Sequence, residues 1–224
     1  DEKVEIRPCD PQLKNTVHLL GFRESDLRLS WREGKVHILK MLEGQIVTED
    51  VQEEVGYTEE KGRKVFKPDG TYQKIAAVER HKNTGKIGVG IVKGFGLRGG
   101  AIASSVSHDS HNLIVIGDND HDMYLAVQEL LRTQGGYTLV ENGQVFDTLP
   151  LPIMGLMSDA GYEKVNEKLA RMIPKAHEMG IPEGFDPFIT LSFMALPVIP
   201  EIRITPRGVY LTQEDRMIQS PFDR

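Results

Sequence analysis

The sequence predicts an α+β fold: a mixed, mainly antiparallel sheet with a few packed helices. Short strand-like runs outnumber helical ones, and two turn signals, Asp69-Gly70 and Asn142-Gly143, join neighbouring runs as hairpins. Only two stretches carry the apolar spacing of an amphipathic helix. Strands and helices do not follow one another in the regular βα rhythm of a parallel sheet. No internal repeat is visible.

Taken in chain order, residues 1–35 mix charges with scattered apolar side chains and read as a lead-in of short turns, with a short helix near residues 13–20. Residues 36–47, VHILKMLEGQIV, alternate as a strand does, with Gly44 marking a bend or bulge. Residues 49–60 carry six carboxylates and no base, which reads as a solvated loop or sheet edge. Asp69-Gly70 then predicts a hairpin between GRKVFKP and TYQKIAAVER. HNLIVIGD, residues 111–118, is a nearly continuous apolar run and predicts a buried strand. A helix follows to about Thr133, capped by the aspartates of residues 118–122. Met123, Val127, Leu130 and Leu131 lie on its inner face, and Gly135-Gly136 ends it. Residues 136–153 read as a hairpin about Asn142-Gly143. A second helix opens at Ser158 or Asp159, with Tyr162, Val165, Leu169, Met172 and Ile173 inward, a kink at Pro174 and a stop at Gly180. Residues 187–211 predict one or two buried strands broken by Pro197 and Pro200.

Composition narrows the function classes. A chain of 224 residues, 39% hydrophobic and 27% charged, is long enough for a real core and too apolar for disorder. The longest apolar stretch, residues 191–199, is too short to span a bilayer and contains Pro197, so no membrane partner is expected. A net charge of −6 weighs against nucleic-acid binding by bulk attraction. Cys9 is the single cysteine, which fits a reducing, cytoplasmic setting and rules out an internal disulfide. The first residue is Asp and no signal-peptide pattern follows, so the chain reads as processed or as part of something longer. The division expected is a lead-in over residues 1–35, a domain over 36–212 and a tail over 213–224.

Between Glu79 and Asp109 there is no acidic residue, while Arg80, Lys82, Lys86, Lys93 and Arg98 alternate with seven glycines. Such a segment can bring backbone amides to an anionic ligand, or can be a tightly turned core hairpin with its lysines in water. Within it GFGLRG, residues 94–99, matches the letters of a dinucleotide fingerprint. The residues after it are strand-like, and that fingerprint needs a helix there. No cofactor site is therefore evident in this chain. The densest polar cluster is SSVSHDSHN, residues 104–112, with four serines, two histidines at i, i+3, Asp109 and Asn112. Serine, Asp and Asn readily close turns, whereas paired imidazoles serve proton transfer, metal ligation or hydrogen bonding to a heterocycle. DNDHD, residues 118–122, has the alternating aspartates of a calcium loop but Met123 where the sharp turn needs Gly, so helix capping explains it more simply. The chain contains no HExxH, no HxH and no GxSxG.

The run KIAAVERHKNTGKIGVGIVKGFGLRGGAIASSVSHDSHNLIVIGDNDHDM resembles the C-terminal region of bacterial and archaeal adenine deaminases of the amidohydrolase superfamily. So do LPLPIMGLMSD, residues 149–159, PFITLSFMALPVIPEIRIT, residues 187–205, and EGQIVTE, residues 43–49. The resemblance extends over about residues 36–212. It implies hydrolysis of adenine to hypoxanthine and ammonia in purine salvage; a homo-oligomer is a separate expectation. A divalent metal, manganese or iron, activates the attacking water. In that family the metal ligands, an HxH among them, belong to a (β/α) barrel that precedes this region. No position here matches them, and His108 and His111 stand only as secondary metal candidates.

The resemblance thus implies a domain whose partners are the barrel and adenine, and which is inactive alone. Within it, the segment from Gly96 to Asn112 is expected to face the barrel's active-site mouth, with Ser105, His108, Asp109 and His111 supplying polar contacts. A polar cluster inside an apolar sheet is costly unless it is paired, which motivates that placement. The alternatives are a stand-alone domain that binds a small heterocycle without chemistry, and an interaction or oligomerisation module.

Overall fold

The computed structural model describes residues 9–223; Asp1 with the rest of the first eight residues, and Arg224 of the tail, lie outside the described residues. Thirteen strands and three α-helices follow one another among them. The strands are β1 (Val36–Met41), β2 (Thr48–Glu53), β3 (Tyr57–Glu60), β4 (Arg63–Phe66), β5 (Tyr72–Val78), β6 (Ile87–Lys93), β7 (Gly100–Ser104) and β8 (Leu113–Gly117). Helix α1 (Asp120–Thr133) comes next, then β9 (Gly136–Glu141), β10 (Gln144–Pro150), α2 (Tyr162–Glu178) and α3 (Pro187–Phe193). Strands β11 (Ile202–Thr205), β12 (Gly208–Leu211) and β13 (Arg216–Ile218) close the chain.

Eight strands form one sheet in the order β10-β9-β7-β8-β5-β6-β1-β2. Every neighbouring pair is antiparallel except β1 with β6, so the sheet is mixed and mainly antiparallel, and the fold is α+β. Successive side chains of a strand point to opposite faces, and the central strands use both. Along β8, Leu113 and Val115 join the core under α1, while Ile114 and Ile116 join the core under α2, α3 and the small sheet. Strand β5 divides in the same way, Ala76 and Val78 to one side and Ile75 and Ala77 to the other. Strands covered on both faces need no polar alternation, which is why HNLIVIGD reads as one apolar run.

Helix α1 is built as its sequence predicts. The Asn119 side chain caps it by accepting the Asp122 N–H at 2.8 Å, and Met123, Val127 and Leu130 are buried. Gln134 takes the left-handed turn that ends it, one residue before Gly135. The β9–β10 hairpin turns at Asn142 and Gly143 as expected. Helix α2 contains Pro174 and runs on to Glu178, and Gly180 follows its end. Tyr162 was expected on its inner face but is exposed, because the helix begins outside the cover of the sheet.

Four other expectations are corrected. Residues 36–47 are not one bent strand; the chain turns back through Gly44, so β1 and β2 form a hairpin. The acidic stretch does lie at a sheet edge, as expected: it supplies the edge strand β2 and the outer hairpin strand β3. Glu49 pairs with Lys40 of the neighbouring β1 at 2.6 Å, and Glu53 reaches Lys93 of β6 at 2.7 Å. The hairpin turn near residue 62 lies at Lys61-Gly62 between β3 and β4, whereas Asp69 carries the chain from that hairpin into the main sheet. Finally PFITLSF is helix α3 and not a strand: Asp186 accepts the N–H groups of Phe188 and Ile189, and Pro187 occupies the first turn. Among its described residues the lead-in holds two 3-10 turns and no α-helix, and its Val17 and Leu27 are buried beneath α1.

The glycines of β6 have a packing role. A Cβ at the buried Gly88 would run into the Thr205 carbonyl and the Gly208 N–H of the small sheet. This close approach favours the core-hairpin reading of the glycine-rich region. Gly88→Ala is expected to lower the unfolding free energy by about 1–3 kcal/mol, the usual cost of overpacking. Urea unfolding checks it, and an unchanged midpoint would mean that the two sheets do not meet so closely.

Candidate functional site

Antiparallel pairing brings several chain reversals to one rim of the sheet. Val78 pairs with Leu113 and Ile87, Ser104 with Ile114 and Tyr137, and Pro150 with Gly136. The connections over residues 79–86, 105–112, 134–135 and 151–161 therefore share that rim, and the SSVSHDSHN loop lies in the middle of it.

The loop is divided between groups used by the fold and groups left free. Ser105 is fully buried; its hydroxyl accepts the Gly136 N–H at 2.8 Å and donates to the Gly155 carbonyl at 2.6 Å. Ser105 is thus a stitch between β9 and the residue 151–161 connection, turned into the fold. Ser107 is buried with its hydroxyl unpartnered, and its carbonyl accepts the His111 N–H at 2.5 Å. His111 stands in the left-handed region at φ 49° with a buried Nδ1 that has no partner. His108 is half-buried, donates its N–H to the Ser192 carbonyl of α3 at 3.0 Å, and rests its ring 4.9 Å from that of Phe193. Its ring lies 5.8 Å from the His111 ring. Asp109 and Ser110 are exposed. The structure therefore brings His108, His111 and Ser107 together, leaves Asp109 at the margin, and sets Ser105 inward.

The residue that holds this rim was not singled out by sequence reasoning. Arg80 is buried, and its guanidinium donates to the His111 carbonyl at 2.5 Å, the Thr16 carbonyl at 3.0 Å and the Met154 carbonyl at 3.0 Å. Its backbone N–H reaches Asn112 Oδ1 at 3.3 Å. No carboxylate is among these acceptors, and burial pushes the guanidinium down to about 10. A Cβ at Gly155 would press on that guanidinium, so the position admits only glycine. The only sequence signal was a base beginning an acid-free stretch, which does not distinguish Arg80 from Lys82 or Lys86.

Burial lowers the pKa of His111, and the charges of His108 and Arg80 push the same way, so its imidazole is neutral near pH 7. Among the described residues no group of three or more His, Cys, Asp or Glu side chains gathers to hold a metal. His108 and His111 have no third ligand beside them and do not fit a metal centre. The aspartates of DNDHD diverge: Asp118 accepts from Gly99 and Gly100, Asp120 pairs with the buried Lys74, and Asp122 accepts from Gly143. Asp118 and Asp122 tie backbone N–H groups and Asp120 pairs with a lysine, while the cap of α1 itself is Asn119 and not an aspartate.

Among the described residues the geometry defines an α+β domain whose rim gathers neutral hydrogen-bonding groups and no metal cage. The family model for the adenine deaminase C-terminal domain matches residues 45–216, and the chain belongs to that family. It is 50% identical over 219 residues to an adenine deaminase of Desulfitobacterium hafniense (strain Y51), covering 98% of this chain and 38% of that protein. It is 44% identical over 203 residues to the adenine deaminase of Nitratidesulfovibrio vulgaris (strain DP4), covering 90% of this chain and 35% of the relative. With the Bacillus subtilis (strain 168) adenine deaminase it shares 43% identity over 180 residues, 80% of this chain and 30% of that one. The chain thus spans about a third of the length of these relatives, from 30% to 38%.

Arg80→Met should leave three carbonyls without their donor and cost about 1–3 kcal/mol for each acceptor that stays buried and unpaired. Chemical unfolding measures the loss, and amide exchange over residues 105–112 should accelerate with it. A variant as stable as the parent, with unchanged exchange, would remove Arg80 from this role.

Glu79 shapes the neighbouring turn. Desolvation acts to raise its pKa, but the N–H groups of Thr84, Lys82 and His81 and the Thr84 hydroxyl prevail and hold it down to about 2. A depressed carboxyl contributes stability that is full above its ordinary 4.5 and is lost as pH falls towards 2. Unfolding midpoints should therefore decline over that window, and Glu79→Gln should flatten the decline; equal slopes for both proteins would refute the assignment.

Proposed function

We propose that this chain is the C-terminal domain of an adenine deaminase, which hydrolyses adenine with one water to hypoxanthine and ammonia in cytoplasmic purine salvage. The observation that carries the reading is 50% identity across 98% of the chain to a protein of that name. Catalysis needs the metal-binding barrel that precedes this region in the resembled family, and the whole enzyme works as a homo-oligomer. A divalent metal, manganese or iron, supplies water activation when bound to that other part; this chain's residues do other work.

That work is hydrogen bonding at the mouth of the purine site. Ser107 Oγ and His111 Nδ1 are buried without partners, each at a cost of about 1–3 kcal/mol unless something pairs with it. A neutral imidazole at His111 can donate or accept beside an uncharged heterocycle without bringing a charge into the site. His108, held over Phe193, and the exposed Asp109 flank it. Ser105 contributes by fixing the loop to Gly136 and Gly155, not by contact.

In the full-length enzyme, His108→Ala and His111→Ala are each expected to lower kcat/KM for adenine by about tenfold or more, the rate equivalent of one lost hydrogen bond. Unfolding midpoints should stay near the parent value. Unaltered kinetics in both variants would overturn the role of the loop, and a parent enzyme that releases no ammonia from adenine would overturn the activity.

A further inference from the structure

The rim that carries the polar loop also exposes large hydrophobic side chains. Leu13, Leu20, Met154 and Met157 are 38%, 59%, 44% and 53% exposed. They are neighbours through the backbone. The Met154 N–H donates to the Leu13 carbonyl at 2.7 Å, and Ile153 and Met157 bridge to each other. Leu20 lies against Gly85, in the connection that follows Arg80. Scattered exposed hydrophobics are ordinary, but an apolar set joined through the backbone on one rim has the composition of an interface core. Methionine suits such a surface because its flexible thioether adapts to the opposing shape.

We infer that this rim is the seat of the polypeptide that precedes this domain in the longer relatives, with Leu13, Leu20, Met154 and Met157 covered. The inference rests on the family reading and adds the face. Two observations point to this occupant. The relatives are nearly three times as long as the matched region, and the matching family is described as a C-terminal domain, so the additional chain comes before it. The lead-in enters the fold across this very rim. Val17 N–H donates to Gln134 Oε1 at 3.0 Å, His18 N–H to the Arg80 carbonyl at 3.0 Å, and Thr16 is held by the Arg80 guanidinium. Polypeptide arriving there is already beside the exposed methionines. The occupant must offer an apolar surface to these side chains.

The test compares amide exchange of this chain alone with that of the full-length protein carrying it. Residues 13–20, 107–111 and 153–157 should be slower in the full-length protein, and Met154→Glu with Met157→Glu should abolish about tenfold or more of that protection. The same double variant should enlarge the radius of gyration, while Val198→Glu, on an exposed residue away from this rim, should change neither. Equal exchange in the two proteins overturns the inference. So does protection that appears in the isolated chain only as it self-associates and is lost in the double variant, which would make a second copy the occupant. Adenine turnover by the parent is read separately: protection without deamination would sink the activity and leave the interface standing.

Discussion

A guanidinium buried without a carboxylate governs the architecture of this rim. Removing a cation from water is costly, and Arg80 offsets the cost with carbonyl oxygens from three separate segments: the lead-in at Thr16, the polar loop at His111 and the β10–α2 connection at Met154. None of the three can leave without stranding charge, so their positions are mutually fixed. Arg203 repeats the device elsewhere, donating to the carbonyls of Ile199, Ile46 and Pro200, and burial pushes it too down to about 10. Neutral acceptors suit this task because they belong to backbone: each bond pins a chain path and not a mobile side chain.

The sheet supplies the frame on which these clamps act. Both faces of its central strands are covered, so the strands cannot slip register without moving apolar side chains from one core to the other. The glycines of β6 then set how near the small sheet can come, through the close approach of Gly88 to Thr205 and Gly208. Between layers sits the pair of Lys74, 2% exposed, and Asp120, where burial pushes the lysine down and the carboxyl up. A buried ion pair of this kind contributes little net stability, but breaking it on one side is costly, so it fixes the first turn of α1 against β5.

Where a segment's structure is decided by its own residues, the sequence was legible. Helix α1 carries its cap at Asn119 and its apolar face within fourteen residues, and the β9–β10 turn is written in Asn142-Gly143. Helix α3 was misread because Ile189 and Thr190 favour strands, although Asp186-Pro187 carried a helix start. The glycine-rich region stayed ambiguous because the atoms that explain Gly88 lie more than a hundred residues further on. At the site, the polar character of residues 104–112 was plain, but the division of labour was not. Ser105 and Ser107 differ by one turn of a strand-like path, yet one hydroxyl meets two backbone partners and the other meets none. Arg80 was invisible as a clamp because its acceptors are carbonyls, which every sequence has everywhere.

These constraints bear on what the loop can do. The Arg80 guanidinium touches the His111 carbonyl, and its positive charge acts on the imidazole of the same residue. Burial first, then the charges of His108 and Arg80, disfavour a protonated His111, while the one carboxylate of the loop, Asp109, acts the other way but is exposed and screened by water. An uncharged partner meets no such penalty. A flat heterocycle, with donors and acceptors on its edge, can pair with Ser107 Oγ and His111 Nδ1 and leave the Arg80 clamp untouched. The clamp that fixes the loop thereby adds to the burial that keeps His111 uncharged, and both favour an uncharged partner of the kind proposed above.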